Sequence, residues 1–236
     1  MNGSTWASLA SAAAARKRLI VFDYDGTLAD LKIDWVALRT DLSRRARDFG
    51  FMSTFEPLWP QMARLQEACG AEAVAALFAV LAEHERQGVL QQQPRAEIVE
   101  FARLMSRRSR QQADEGRRTG RAPVFRLPCA FGTARPTGRD PWVWQRRSRM
   151  PSVCVLAVFS ANLHATIAAG LDALGLGALI SWIVGADDVT QWKPAPEGLL
   201  RAIRLAGCTP ADTLFIGDSA GDAAAAHAAG VDFVRV

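Results

Sequence analysis

The stretch Leu19 to Leu28, LIVFDYDGTL, restricts what this chain can fold into more than any other. Its first four residues, Leu19 to Phe22, are apolar and read as a short buried strand. The run stops on two carboxylates, Asp23 and Asp25, with Gly26 and Thr27 behind them. Carboxylates two residues apart that leave a parallel strand lie at its C-terminal end, where open α/β sheets bind ligands. Gly26 permits a tight turn and a close approach of backbone N–H groups to an anion. Paired carboxylates suit a nucleophile beside a group that handles protons.

Three later stretches repeat the pattern of a polar group following an apolar run or a turn. Val153 to Phe159 is continuously apolar and runs into Ser160-Ala161-Asn162. Lys193, one of three lysines in the chain, stands in WKPAPE. Thr213 to Ile216 leads into GDSAGD, which carries Asp218 and Asp222. In this order the four stretches resemble the motifs of the haloacid dehalogenase superfamily, and most of all its phosphoglycolate-phosphatase-like hydrolases. The resemblance covers Leu19 to about Phe101 and Val153 to Val236. It implies an α/β fold: a doubly wound parallel five-stranded sheet of order 5-4-1-2-3, with a small α-helical cap between the first and second motifs.

The resemblance also implies a chemistry. Asp23 attacks phosphorus and forms an aspartyl-phosphate. Asp25 protonates the leaving alkoxide and then deprotonates water, with Thr27 fixing Asp25 by a hydrogen bond. Ser160 donates to a phosphoryl oxygen, and Lys193 neutralises developing charge. Gly26, Thr27, Ser160, Asn162 and Lys193 would hold the substrate. Two like charges 4 Å apart cost about 4 kcal/mol at an effective dielectric of 20. Asp23, Asp25, Asp218 and Asp222 brought together therefore need a cation, and hard oxygen donors beside phosphate select Mg²⁺. Asp23, the Asp25 carbonyl and Asp218 would be direct ligands, with Asp222 nearby. Asp25 itself favours phosphoryl transfer over carbon–halogen cleavage, which needs no leaving-group acid. Lys32, the single lysine of the cap region, is placed too close to the first motif for a phosphonate-cleaving Schiff base. The expected activity is Mg²⁺-dependent hydrolysis of a small phosphomonoester, phosphoglycolate-like or a sugar phosphate. The alternatives are a phosphosugar mutase of the same superfamily and a non-catalytic protein that binds nucleic acid through a basic segment.

That basic segment is where composition matters. The chain carries +4 net charge, but Ser106 to Met150 holds twelve arginines against three acids, a net +9, so the remainder carries −5. Arg, Gly and Pro enrichment without periodicity predicts a disordered insertion over 106–150, or a retained intron. Its Trp142 and Trp144 beside arginine could stack on bases, although a solvated charge run is the commoner outcome. Residues 1–18, rich in Ala and Ser, read as a frayed extension or, as an alternative, an organellar leader. The expected core spans 19–29, 94–105 and 151–236, and the expected cap 30–93. Within the cap, Trp35, Leu38 and Leu42 share a helical face, Pro57 and Pro60 mark one break, and Gly70 and Gly88 mark two more. A helix with Ile98, Phe101, Ala102 and Met105 on one face follows it. Arg39, Arg44, Arg45 and Arg47 make a basic helix face there, solvated or aimed at a substrate anion. His84, His164 and His227 are read as structural. No apolar run approaches the ~20 residues of a membrane span. The four cysteines are scattered, which suits free thiols in a reducing, cytoplasmic setting.

Overall fold

The computed structural model describes residues 14–118 and 154–236. In chain order the strands are β1 (Leu19–Phe22), β2 (Ala29–Asp30), β3 (Gln93–Pro94), β4 (Val155–Phe159), β5 (Trp182–Val184), β6 (Thr213–Gly217) and β7 (Asp232–Arg235). The α-helices are α1 (Trp35–Arg47), α2 (Leu58–Leu90), α3 (Ala96–Arg118), α4 (His164–Ala173), α5 (Glu197–Leu205) and α6 (Ala220–Ala229).

β1 lies at the centre of a five-stranded parallel sheet ordered β5-β4-β1-β6-β7. Numbering those five strands alone from the N-terminus, and reading from the β7 edge, gives 5-4-1-2-3. The detail that differs is an extra antiparallel ribbon, β2 with β3, two residues on each side. All four residues of β1 are buried. Ile20 and Phe22 pack on one face of the sheet with α3 and α4, and Leu19 and Val21 on the other with α5 and α6. Burial on both faces explains why β1 is continuously apolar and not alternating. β1, β4 and β6 each lead into a polar residue, Asp23, Ser160 and Asp218, so the first, second and fourth motifs collect at one rim of the sheet.

A helical lobe rises beyond that rim. Asp34 caps α1 by accepting from the Val36 and Ala37 N–H groups at 3.1 and 3.0 Å. Leu38, Leu42 and Ala46 are its buried positions, spaced four apart. They meet Leu65, Leu77 and Leu81 of α2 in a separate apolar cluster, and each buried leucine contributes about 2 kcal/mol. Helix α2 is broken at Gly70, where φ is +78°, a conformation that glycine adopts without steric cost. No break occurs at Gly88, which is buried inside the helix. A Cβ there would lie 3.1 Å from Ile33, so this glycine serves close approach to the chain entering the lobe. By length and composition α2 is apolar enough to cross a membrane, a candidate that the sequence reading did not register because Gly70 and scattered charges interrupt the run.

Two further expectations change. The helix expected to end near Met105 runs on to Arg118, so the first part of the segment 106–150 is helical. The buried face of Ile98, Phe101, Ala102 and Met105 continues through Ser106 and Ser109, which are buried without being apolar, and the hydropathy pattern lost them. The rest of that segment, with Trp142 and Trp144, lies outside the described residues. The N-terminal stretch is docked from Ala14 onward. Ala14 joins the core, and Lys17 donates to the Ala211 carbonyl and pairs with Asp232, both at 2.7 Å.

Candidate active site

Asp23 leaves β1 buried, its own N–H bonded to the Ile216 carbonyl of β6 at 2.8 Å. The Lys193 ammonium donates to Asp23 Oδ1 and to Asp222 Oδ1, each at 2.6 Å. It also sits over the Phe159 and Phe215 rings, 4.6 and 5.3 Å from their centroids. Burial opposes the charge on Lys193, but Asp23 and Asp222 outweigh it and hold the ammonium above its ordinary pKa. Burial likewise pushes Asp23 up to about 6, Lys193 pulling it down and Asp222 adding to the rise. The triad carries two negative charges and one positive charge in a dry rim.

Asp222 has a second duty. Its Oδ2 accepts from the Ser219 N–H and hydroxyl at 3.0 and 2.6 Å, while Ser219 Oγ accepts from the Asp222 N–H at 3.0 Å, a capping box that starts α6. Both Asp222 oxygens are thus engaged. Asp23, Asp218 and Asp222 each offer a carboxylate oxygen within 4.8 Å of the others. Asp25 stands outside that cluster. Its Oδ1 accepts from the Leu31 N–H at 2.8 Å, and burial raises its pKa, with Asp218 adding to the effect. Gly26 makes the convergence possible. Its φ is +83°, and a Cβ would lie 2.5 Å from Asp218 Oδ2.

Residues 152–236 match the family described as haloacid dehalogenase-like hydrolase. Over these residues the chain is similar to that family. It is 36% identical over 99 residues to a phosphoglycolate phosphatase of Pseudomonas putida, an alignment covering 42% of this chain and 35% of that protein. It is 38% identical over 92 residues to phosphoglycolate phosphatase 1 of Pseudomonas aeruginosa, covering 39% and 32%. The chain therefore spans about a third of the length of these curated relatives. A structure titled as a putative haloacid dehalogenase-like hydrolase from Bacteroides fragilis shares the fold, with a TM-score of 0.52 at 19% identity over 93% of this chain and 87% of that one.

The rim of the sheet brings together Asp23, Asp25, Ser160, Asn162, Lys193, Asp218 and Asp222 around one cavity of about 320 Å³. Thr27 is placed differently from expectation. Its hydroxyl faces Asp218 Oδ1 at 3.5 Å, and the Leu31 amide, not Thr27, holds Asp25. Ser160 Oγ donates to Asn162 Oδ1 at 2.9 Å. Asn162 Nδ2 in turn donates to Glu85 Oε1 at 3.0 Å, and the Leu163 N–H donates to Glu85 Oε2 at 3.0 Å.

Glu85 is the site residue that the sequence reading missed. It reaches down from α2 and is 1% exposed. Burial pushes its carboxyl up to about 7 against the lowering effect of Thr166, Leu163 and Asn162. Its one sequence signal is an acid at a helix position otherwise facing apolar neighbours, four residues after Leu81. Trp35, Leu58 and Trp59 also line the cavity from the lobe. His84 pairs with Asp41 at 3.0 Å and His164 with Asp188 at 2.7 Å, away from the cavity. Of the cap arginines, Arg44 and Arg45 pair with Asp41 and Asp48 on the surface. Arg39 pairs with Glu56 at 3.3 Å beside the Trp35 ring, with a buried Nε that has no partner.

Proposed function

We propose that this chain hydrolyses a small phosphomonoester through an aspartyl-phosphate on Asp23. The observation that carries the reading is the buried Asp23 carboxylate at the tip of the central strand, clamped by Lys193 and followed two residues later by a carboxyl group with a raised pKa. A nucleophile must be ionised, and Lys193 favours the ionised form of Asp23. A leaving-group acid must hold its proton near neutrality, and burial raises the Asp25 carboxyl in that direction. The Leu31 amide fixes the orientation of Asp25. Attack by Asp23 expels the alkoxide, which takes the Asp25 proton. Asp25, now ionised, accepts a proton from the water that opens the acyl phosphate. Lys193 remains charged throughout and offsets the negative charge that builds on the phosphoryl oxygens.

The acidic cluster fits a divalent cation by its donors: hard carboxylate oxygens within 4.8 Å of one another, with Asp218 raised by burial and by Asp222. Mg²⁺ suits such oxygen donors together with phosphate. Asp23 and Asp218 would hold it with the Asp25 carbonyl. Asp222, both of whose oxygens are already engaged, would orient the site. The bound ion would neutralise charge on the transferring phosphoryl group. The helical lobe would act as the cap that excludes water. Hydrolysis of p-nitrophenyl phosphate with Mg²⁺ tests the proposal. Wild-type turnover is expected and Asp23→Asn should abolish it; equal activity in both would remove Asp23 from the mechanism.

A further inference from the structure

The half of the cavity that receives the organic part of the substrate differs in character from the rim. The lobe supplies Trp35, Leu58, Trp59 and Leu81 to it, and its one charged contribution is the carboxyl of Glu85. Trp59 is held from behind by Trp192, their ring centroids 5.3 Å apart, and Trp192 is fixed by its own N–H to the Ala186 carbonyl at 2.9 Å. The wall is therefore a preset aromatic surface. Among the described residues lining the cavity, Lys193 is the one cation, and Asp23 and Asp222 already engage it. Five acids line the same space. Arg39, which lies beside the Trp35 ring, pairs with Glu56 and does not line the cavity.

A substrate whose leaving group carries a carboxylate would bring a second anion to a wall of tryptophan, leucine and a glutamate, with no unengaged cation among the described residues that line it. A flat or apolar uncharged group would instead bury against Trp35 and Trp59. Building on the phosphatase reading, we infer that the chain's preferred substrates are phosphomonoesters of uncharged aromatic or bulky apolar alcohols, and not short phosphorylated carboxylic acids. This sets its specificity apart from the substrate in the names of its Pseudomonas relatives.

The experiment compares kcat/KM of the full chain with Mg²⁺ on 1-naphthyl phosphate, phenyl phosphate and 2-phosphoglycolate. The aryl esters should lead 2-phosphoglycolate by about tenfold or more, the discrimination that a shaped apolar pocket supplies. Trp35 lies at the exposed start of α1, so Trp35→Ala leaves the lobe core intact. That variant should raise KM for 1-naphthyl phosphate more than for 2-phosphoglycolate and so lose most of the naphthyl advantage. A wild-type preference for 2-phosphoglycolate overturns the inference and leaves the phosphatase reading standing. If that preference disappears in Arg39→Ala, Arg39 is the anion receptor. Failure to hydrolyse any of the three esters overturns the phosphatase reading and this inference with it.

Discussion

Glu85 makes stability depend on pH in a direction opposite to that of most surface acids. An ordinary glutamate titrates near 4.5, whereas burial holds Glu85 near 7 in the folded chain. Between those values the folded state binds a proton that the unfolded state has released. Stability from this group is thus fully present below about pH 4.5 and is lost as pH rises through 7. A shift of this size corresponds to about 3 kcal/mol, most of which is lost between pH 5 and pH 8. Glu85→Gln removes the titration. It also places an amide NH₂ against the Asn162 Nδ2 or Leu163 N–H donor, a penalty that does not vary with pH. Urea unfolding of both proteins at pH 5, 6.5 and 8 separates the two effects. The variant should gain about 2–3 kcal/mol on wild type from the lowest to the highest pH, or about 5–10 °C in Tm for a domain of this size. Parallel stability–pH curves would refute the reasoning and would mean that the hydrogen bonds to Asn162 and Leu163 hold Glu85 ionised throughout.

Mg²⁺ at about ten times its Kd should raise Tm by about 3–6 °C, as scanning fluorimetry would report; Asp218→Asn should remove the shift, and an undiminished shift would take Asp218 out of the metal site. Lys193→Met strands Asp23 and Asp222 without their shared cation. It should cost about 3–5 kcal/mol in chemical denaturation, and a loss below 1 kcal/mol would mean that the pair simply protonates. Gly26→Ala combines a left-handed φ with a Cβ 2.5 Å from Asp218 Oδ2. It should destabilise by about 1–3 kcal/mol and abolish the Mg²⁺-dependent Tm rise, whereas a normal rise would show that Asp218 can move aside.

The sheet and most of the rim were legible because each is written locally. An apolar run that stops at a carboxylate or serine marks both a strand and its functional end, so Asp23, Asp25, Ser160 and Asp218 were found together. Lys193 follows no strand and rested on its motif alone. What escaped depends on contacts between distant segments. Glu85 is one acid on a helix until the fold brings it to Asn162, 77 residues away. The partner of Thr27 was misjudged because proximity in sequence favoured Asp25, whereas the turn at Gly26 delivers the hydroxyl to Asp218. The continuation of α3 was hidden by Ser106 and Ser109, which fill core positions without an apolar signature.

The short β2–β3 ribbon has a mechanical consequence. It joins the chain entering the helical lobe to the chain leaving it, and Arg95 locks the two sides through Asp30 at 2.8 and 2.9 Å. Just beyond β2, Leu31 supplies the amide that orients Asp25. The ribbon and the amide that anchors the Asp25 carboxyl are therefore neighbouring links of the chain. A swing of the lobe about the ribbon would carry the Leu31 amide with it and so bear on the Asp25 carboxyl, whereas Asp23 is fastened to the sheet through the Ile216 carbonyl. Under the proposed mechanism, a movement of the lobe that admits a ligand would also misalign the Asp25 carboxyl.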